Sequence, residues 1–256
     1  MAPGSFEFSD QDELLGDPSG TSLHMENGIA VLNSWTPGLQ ESSSEYAMLR
    51  MRLLRHDVGS RALGGSDTLQ LRPKRYDSTT PTLCFSNVEQ IDDHLVQYVG
   101  HPLLRYPSQE SAQSEKIEVP SLTELLDIGD ELVRWSRAAD DFKATDPNQL
   151  TNELGSLLVE SHYLTCKCLL AENMQRSFPS PTMSWDYYQD DWLELGDKAV
   201  RAMALQQQDR LEQGFPRKVV DRGRGISEAL LLFSSKTSSE EASARAVQLA
   251  NDYATA

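Results

Sequence analysis

The feature that most constrains this chain is the apolar spacing beyond position 120. Leu150, Leu154, Leu157, Leu158, Leu164 and Cys168 recur mostly at three- or four-residue steps, the period that lines one side of an α-helix. Start and stop signals bracket several such runs. Ser121 followed by Glu124 is a capping box, in which hydroxyl and carboxylate satisfy backbone donors reciprocally. It opens an expected helix with Leu122, Leu125, Leu126, Leu132, Val133 and Trp135 as its apolar stripe and a weak point at Gly129. Asp146-Pro147-Asn148-Gln149 combines an N-cap with proline at the first helical position. The helix it opens is expected to end near Arg176, before Pro179 and Pro181. Ser184 can cap a further helix carrying Trp185, Tyr188, Trp192, Leu195, Ala199, Ala202 and Leu205, which Gly214 and Pro216 stop. A short apolar helix is expected near Ile226 to Phe233. Ser238 to Glu241 repeats the capping-box pattern ahead of Ala242, Ala246, Leu249, Ala250 and Tyr253. The predicted fold class is therefore mainly α: a C-terminal helical bundle or α-hairpin array over residues 121–256, preceded by a partly disordered acidic N-terminal region.

Upstream the signals are weaker. Residues 1–45 are rich in Ser, Gly, Pro, Gln and acids, a composition that reads as disorder. Within them Phe6, Phe8, Leu14 and Leu15 sit among Glu7, Asp10, Asp12, Glu13 and Asp17. Acidic-apolar alternation of this kind suits a segment that folds against a partner, so these four residues are candidate interaction residues. Ile29, Val31 and Trp35 suggest a short strand or anchor ended by Thr36-Pro37-Gly38. Residues 46–106 form a mixed, partly helical segment. Tyr46, Leu49, Leu53 and Leu54 have helical spacing, with Arg50, Arg52 and Arg55 on other faces. Asn87 and Gln90 start a helix continued by Ile91, Leu95, Val96 and Val99, which Gly100, Pro102 and Pro107 are expected to close. Residues 107–120 read as a linker.

Charge narrows the class of partner. The chain carries 39 acidic and 23 basic residues, a formal net charge of −16. Such a surface repels phosphate backbones and anionic bilayers, which argues against non-specific nucleic-acid binding by the whole chain and against membrane association. It suits another protein as partner, a basic one in particular. No apolar run approaches the roughly 20 residues that span a bilayer. The N-terminal residues lack the pattern of a secretory signal. Three cysteines, Cys84, Cys166 and Cys168, are too few for a disulfide framework and suit a reducing compartment, cytoplasmic or nuclear. Between positions 50 and 75 the charge reverses, with seven Lys or Arg against two acids. Arg72, Lys74 and Arg75 there form a short cluster of the nuclear-import type.

Few constellations carry chemistry. Asp190, Asp191 and Glu194 fit a DDxxE spacing that brings carboxylates to one side of a helix, where they could hold Mg²⁺ on a diphosphate. The pattern resembles the aspartate-rich motif of isoprenoid synthases, which are also all-helical. The resemblance covers five residues, with no second metal-binding motif at a matching place. His162, Cys166 and Cys168 have H-x3-C-x-C spacing, but Cys168 points away from Cys166 on a helix, short of the four convergent ligands of structural zinc. Cys84 with His94 or His101 offers a nucleophile and base in name only. Arg217, Lys218, Arg222 and Arg224 form a second basic island ahead of a helix start, suited to a phosphate or an acidic partner. Trp185 and Tyr187 belong to an aromatic cluster that, if exposed, would act as an interface hot spot. No nucleotide-binding or nucleophile-elbow motif occurs, and no cofactor is expected. The expectation is a non-enzymatic adaptor or regulator, with a nuclear transcriptional regulator lacking its own DNA-binding module and a helical Mg²⁺-dependent diphosphate enzyme as alternatives.

Overall fold

A computed structural model describes residues 28–30, 32, 46–47, 50–51, 53–54, 83–104, 120–145, 153–177, 185–213 and 224–255. Those residues are overwhelmingly helical and include no strand. The mainly α architecture expected from the spacing is thus the one observed.

Helix α1 (Val88–Leu95) begins where Asn87 Oδ1 accepts from the Gln90 backbone N–H at 2.8 Å. Gln90 Oε1 reciprocates toward the Ser86 N–H at 2.9 Å. Gly100 and Pro102 do not close the helix. α1 continues through a π-helical turn, Val96–Gly100, into α2 (His101–Leu104). Pro102 has no N–H, and its ring would crowd the preceding turn of a regular helix. The wider turn absorbs that conflict, with the His101 N–H donating to the Val96 carbonyl five residues back. Burial of Leu103 and Leu104 then holds the extension in place.

Helix α3 (Leu122–Thr145) starts at the expected capping box. The Ser121 N–H donates to Glu124 Oε2 at 2.9 Å, and the Glu124 N–H donates to Ser121 Oγ at 3.3 Å. It runs unbroken through Gly129 and buries Leu125, Ile128, Leu132, Trp135, Ala139 and Phe142. The expected stripe was rotated: Leu122, Leu126 and Val133 face outward. The true core side includes Ile128, Ala139 and Phe142, which continue the period past the point where the Leu residues attract the eye.

Helix α4 (Glu153–Ser177) ends close to Arg176 as the prolines require. The Asp146–Gln149 start signal and Leu150 lie outside the described residues. α4 is buried on two sides. Leu154, Leu157, Leu164, Cys168 and Ala171 line one, and Val159, Cys166, Leu169 and Asn173 the other. A helix apolar on opposite sides belongs between two layers, and α4 packs against α1, α2, α3, α5 (Gln189–Glu212) and α6 (Arg224–Lys236).

A 3-10 turn at Trp185–Tyr188 leads into α5; Ser184 lies outside the described residues. Trp185, Trp192 and Phe233 form a stack with centroid spacings of 6.4 and 5.6 Å. Leu205 departs from the expected stripe and is exposed. The α6–α7 hairpin, with α7 at Glu240–Thr255, closes the bundle against α5. Its cap is displaced by one position from the sequence expectation. The Ala242 N–H donates to Ser239 Oγ at 3.2 Å, while Ser238 Oγ donates to Asp186 Oδ2 at 2.6 Å. Asp186 also accepts from the Ser238 N–H and from Thr237 Oγ1, so one carboxylate ties the 3-10 turn to the α6–α7 turn.

Two helical glycines make a matched pair of tests. A Cβ on Gly196 would lie 2.8 Å from Leu249 Cδ1 and 3.2 Å from Leu230 Cδ2, inside the α5–α6–α7 packing. A Cβ on Gly129 would meet Leu170 Cδ2 at an ordinary 3.6 Å. Gly129→Ala is expected to raise stability by about 0.5–1 kcal/mol through helix propensity. Gly196→Ala is expected to lower it by about 1–3 kcal/mol through overpacking. Urea melts of the two variants should shift in opposite directions.

The principal core does not stop at residue 121. Ile91, Leu95, Val99, Leu103 and Leu104 belong to the same apolar cluster as the residues of α3 to α7. A second, smaller cluster joins Ile29, Leu32, Leu53 and Leu54 to Val96. Gly28–Ala30 and Leu32 are helical, in place of the short strand that the spacing of Ile29, Val31 and Trp35 suggests. Arg50, expected on an outer side of its helix, is buried, and its Nη1 donates to Gln97 Oε1 at 3.0 Å. Burial holds its guanidinium below its ordinary pKa.

Candidate functional site

A concavity lies between α1, α3 and α4, with a volume near 200 Å³. Its floor is apolar: Ile91 from α1, Trp135 and Ala139 from α3, and Val159 and Tyr163 from α4. Trp135 and Tyr163 stack at 5.1 Å, and Trp135 Nε1 donates to the Ile91 carbonyl at 2.8 Å. The indole is thereby fixed to both neighbouring helices, so the groove has a rigid aromatic wall. The rim carries two carboxylates, Asp140 and Glu160, one ammonium, Lys143, and the hydroxyls of Ser136 and Ser156. Helical periodicity placed Trp135 in the core, but nothing in the sequence brings residues 88–91 beside 156–163.

Two histidine–carboxylate pairs sit on the same three helices. His162 Nδ1 donates to Asp92 Oδ1 at 2.6 Å, joining α4 to α1. His94 Nε2 lies 2.5 Å from Glu131 Oε1, joining α1 to α3, and Glu131 also accepts from Arg134 Nη1 at 3.1 Å. Both carboxylates are buried. A buried carboxylate needs such partners, so these pairs fix the register of α1 against the other two helices. The distance along the chain, 70 and 37 residues, hides them from any local reading.

The two buried thiols, Cys166 and Cys168, are chemically quiet. Burial, with Asp92 and Cys168 nearby, pushes the Cys166 thiol far above its ordinary pKa. Burial pushes Cys168 from 9.0 up to about 12, partly opposed by the hydrogen bond from Trp192 Nε1 at 3.5 Å. Neither is a thiolate at neutral pH, the form that attacks carbonyls or binds metal. His162 faces Asp92, and among the described residues no group of three or more His, Cys, Asp or Glu is placed to hold a metal ion. A disulfide-exchange reagent should therefore consume one thiol quickly, exposed Cys84, and the other two only on unfolding. The raised thiols also set a direction for pH. They stabilise the fold below about pH 9, and that contribution falls as the pH climbs toward 12. For Cys168 the full difference corresponds to about 4 kcal/mol. Tyr253, likewise raised to about 12 by burial, adds to the alkaline loss. Urea midpoints between pH 8 and 11 should fall, and fall less steeply for Cys168→Ala.

The sequence candidates distribute as follows. Asp190, Asp191 and Glu194 lie exposed on the first turns of α5, where Glu194 Oε1 binds Lys198 Nζ at 2.8 Å. Lys198 holds the Glu194 carboxyl below its ordinary pKa. The three acids face solvent, Asp190 and Glu194 on the side opposite the stacked Trp192 and Asp191 about a quarter-turn from it. Trp185 is buried at 5 % exposure, so it packs in the core; Tyr187 is 74 % exposed. The two are not one surface: a 3-10 turn directs neighbouring side chains apart. Arg224 opens α6. Arg217, Lys218 and Arg222 lie outside the described residues, as do Phe6, Phe8, Leu14, Leu15, Arg72, Lys74 and Arg75. No helix among the described residues is long and apolar enough to cross a membrane. No family model matches this chain, and neither the curated proteins nor the solved structures provide a match.

Proposed function

We propose that the chain is a non-enzymatic intracellular interaction protein, an adaptor or regulator, that receives a segment of another protein in the groove between α1, α3 and α4. The groove carries this reading. A rigid, aromatic-walled concavity is the form that takes an apolar anchor side chain. Two carboxylates against one ammonium on its rim, in a chain of net charge −16, favour a cation beside that anchor. The preferred ligand is thus a peptide segment with an apolar residue flanked by Lys or Arg.

The test begins with a photo-crosslinking residue at Ser156 on the rim, compared with one at exposed Glu240 on the far hairpin. A partner captured at the rim is then purified and titrated against the full chain. Asp140→Lys with Glu160→Lys should weaken binding at least about tenfold, consistent with the loss of roughly 1.4 kcal/mol or more. Equal capture at both positions, or unchanged affinity after charge reversal, would remove the reading.

A further inference from the structure

The turn between α6 and α7 carries three consecutive hydroxyls, Thr237, Ser238 and Ser239, followed by the acids Glu240 and Glu241. The three hydroxyls are not equivalent. Thr237 is half-buried, and its Oγ1 donates to Asp186 Oδ1 at 2.5 Å. Ser239 is half-buried and caps α7 through the Ala242 N–H. Ser238 is exposed. Because Ser239 takes the cap, Ser238 Oγ is turned to Asp186 Oδ2, at 2.6 Å. Glu240 and Glu241 are exposed beside it.

An exposed serine with carboxylates two and three residues on is the charge pattern that a Ser/Thr kinase with a basic substrate cleft selects. Such a cleft takes its substrate extended, so the segment must open locally, and the structure bounds that opening. Upstream, Phe233 is fully buried. Downstream, Ala242 is buried and Ser243 Oγ donates to the Ser234 carbonyl at 2.9 Å, which holds α7 from Ala242 onward. The stretch between, 237–241, contains the hydroxyl and both acids. It is a turn and the start of a helix, where the backbone N–H groups have no partner within the helix and opening costs least.

We propose that Ser238 is a phosphorylation site for an acid-directed Ser/Thr kinase, and that the phosphate releases the latch at Asp186. The γ-phosphoryl group of ATP passes to Ser238 Oγ. The bond from the γ-phosphorus to the oxygen that leaves with ADP breaks, the Oγ–P bond forms, and the hydroxyl proton goes to the base of the kinase. A donor to Asp186 is thereby replaced by a group of charge about −1.5 to −2 at neutral pH. It stands against the Asp186 carboxylate, with Glu240 and Glu241 adding to the repulsion. As that carboxylate moves away, the Ser238 N–H and the Thr237 hydroxyl also lose it as acceptor. The dipole of α7 attracts a phosphate at its N-terminus, but the Ala242 N–H there is already taken by Ser239. Trp185 keeps its own bond to Glu172 Oε2 at 3.1 Å and its place in the stack. The change is therefore local: the 3-10 turn at Trp185–Tyr188 parts from the α6–α7 turn while the core stays closed.

The full chain treated with an acid-directed Ser/Thr kinase and Mg²⁺-ATP, followed by mass spectrometry of its peptides, tests the site. Phosphate is expected on Ser238, at a rate lowered at least about tenfold by Glu240→Lys with Glu241→Lys. No incorporation at Ser238, incorporation at Thr237 or Ser239 in its place, or a rate indifferent to charge reversal overturns the proposal. Amide hydrogen exchange reads the latch. Phosphorylation should speed exchange of the Ser238 N–H and of residues 185–188 by about tenfold. Unchanged or slower exchange overturns the release. With Asp186→Asn the opposing charge is gone, so phosphorylation should add little further acceleration. An acceleration as large in that variant as in the original chain rejects Asp186 as the latch.

Discussion

Trp192→Ala is expected to lower the unfolding free energy by about 3–5 kcal/mol, a large share of what a domain of this size has. Trp192 is fully buried, stacked between Trp185 and Phe233, and its Nε1 donates to Cys168 Sγ. Removing the indole leaves a cavity where α4, α5 and α6 converge, and its neighbours, Trp185 on the 3-10 turn, Phe233 on α6 and Cys168 on α4, are held by different elements and cannot all collapse into it. Phenylalanine at the same position should recover most of the loss, since the stack persists and only the weak bond to sulfur disappears. Urea melts followed by far-UV circular dichroism provide the measurement. A loss below about 1 kcal/mol for the alanine variant would mean that the stack is not the centre of the core.

Leu95→Ala should cost about 2–5 kcal/mol and shift the whole helical transition, not a fraction of its amplitude. Leu95 on α1 is fully buried in the cluster that also contains Trp135, Trp192 and Leu249. α1 is held further by the Asp92–His162 and His94–Glu131 pairs. If α1 belongs to one cooperative unit with α3 to α7, damage at Leu95 is felt by Tyr253 at the far end of the chain. A biphasic melt in which only a small first phase moves would show instead that α1 docks as a separate, weakly coupled layer. The same variant bears on the groove, because α1 supplies one of its walls.

The two predictions address different levels of the argument. The first concerns a stack of which two members, Trp185 and Trp192, lie seven residues apart and are placed on one stripe by period alone, while the third, Phe233, comes from α6. The second concerns an element that sequence separated from the rest. Gly100, Pro102 and the polar residues 107–120 punctuate the chain strongly, and punctuation reads as a boundary. The π-helical turn removes the stop expected at Gly100 and Pro102, since it carries the helix past a proline by shifting one hydrogen bond; residues 107–119 lie outside the described residues.

What the sequence determined by itself is local. Ser121 with Glu124, and Asn87 with Gln90, fix helix starts because a cap needs only neighbours within one turn. The apolar period of α4 and α5 marks them as packed helices for the same reason. The outward turn of Leu122, Leu126 and Val133 was decided only by tertiary structure, because a leucine's preference for burial does not say which side of its helix the next layer will cover. The pairing of His162 with Asp92, the protonated state of Cys166, and the meeting of Ile91, Trp135 and Tyr163 at one groove were decided the same way. Each depends on distances between residues far apart along the chain, and those are set by how helices stack, not by the order of the residues on any one of them.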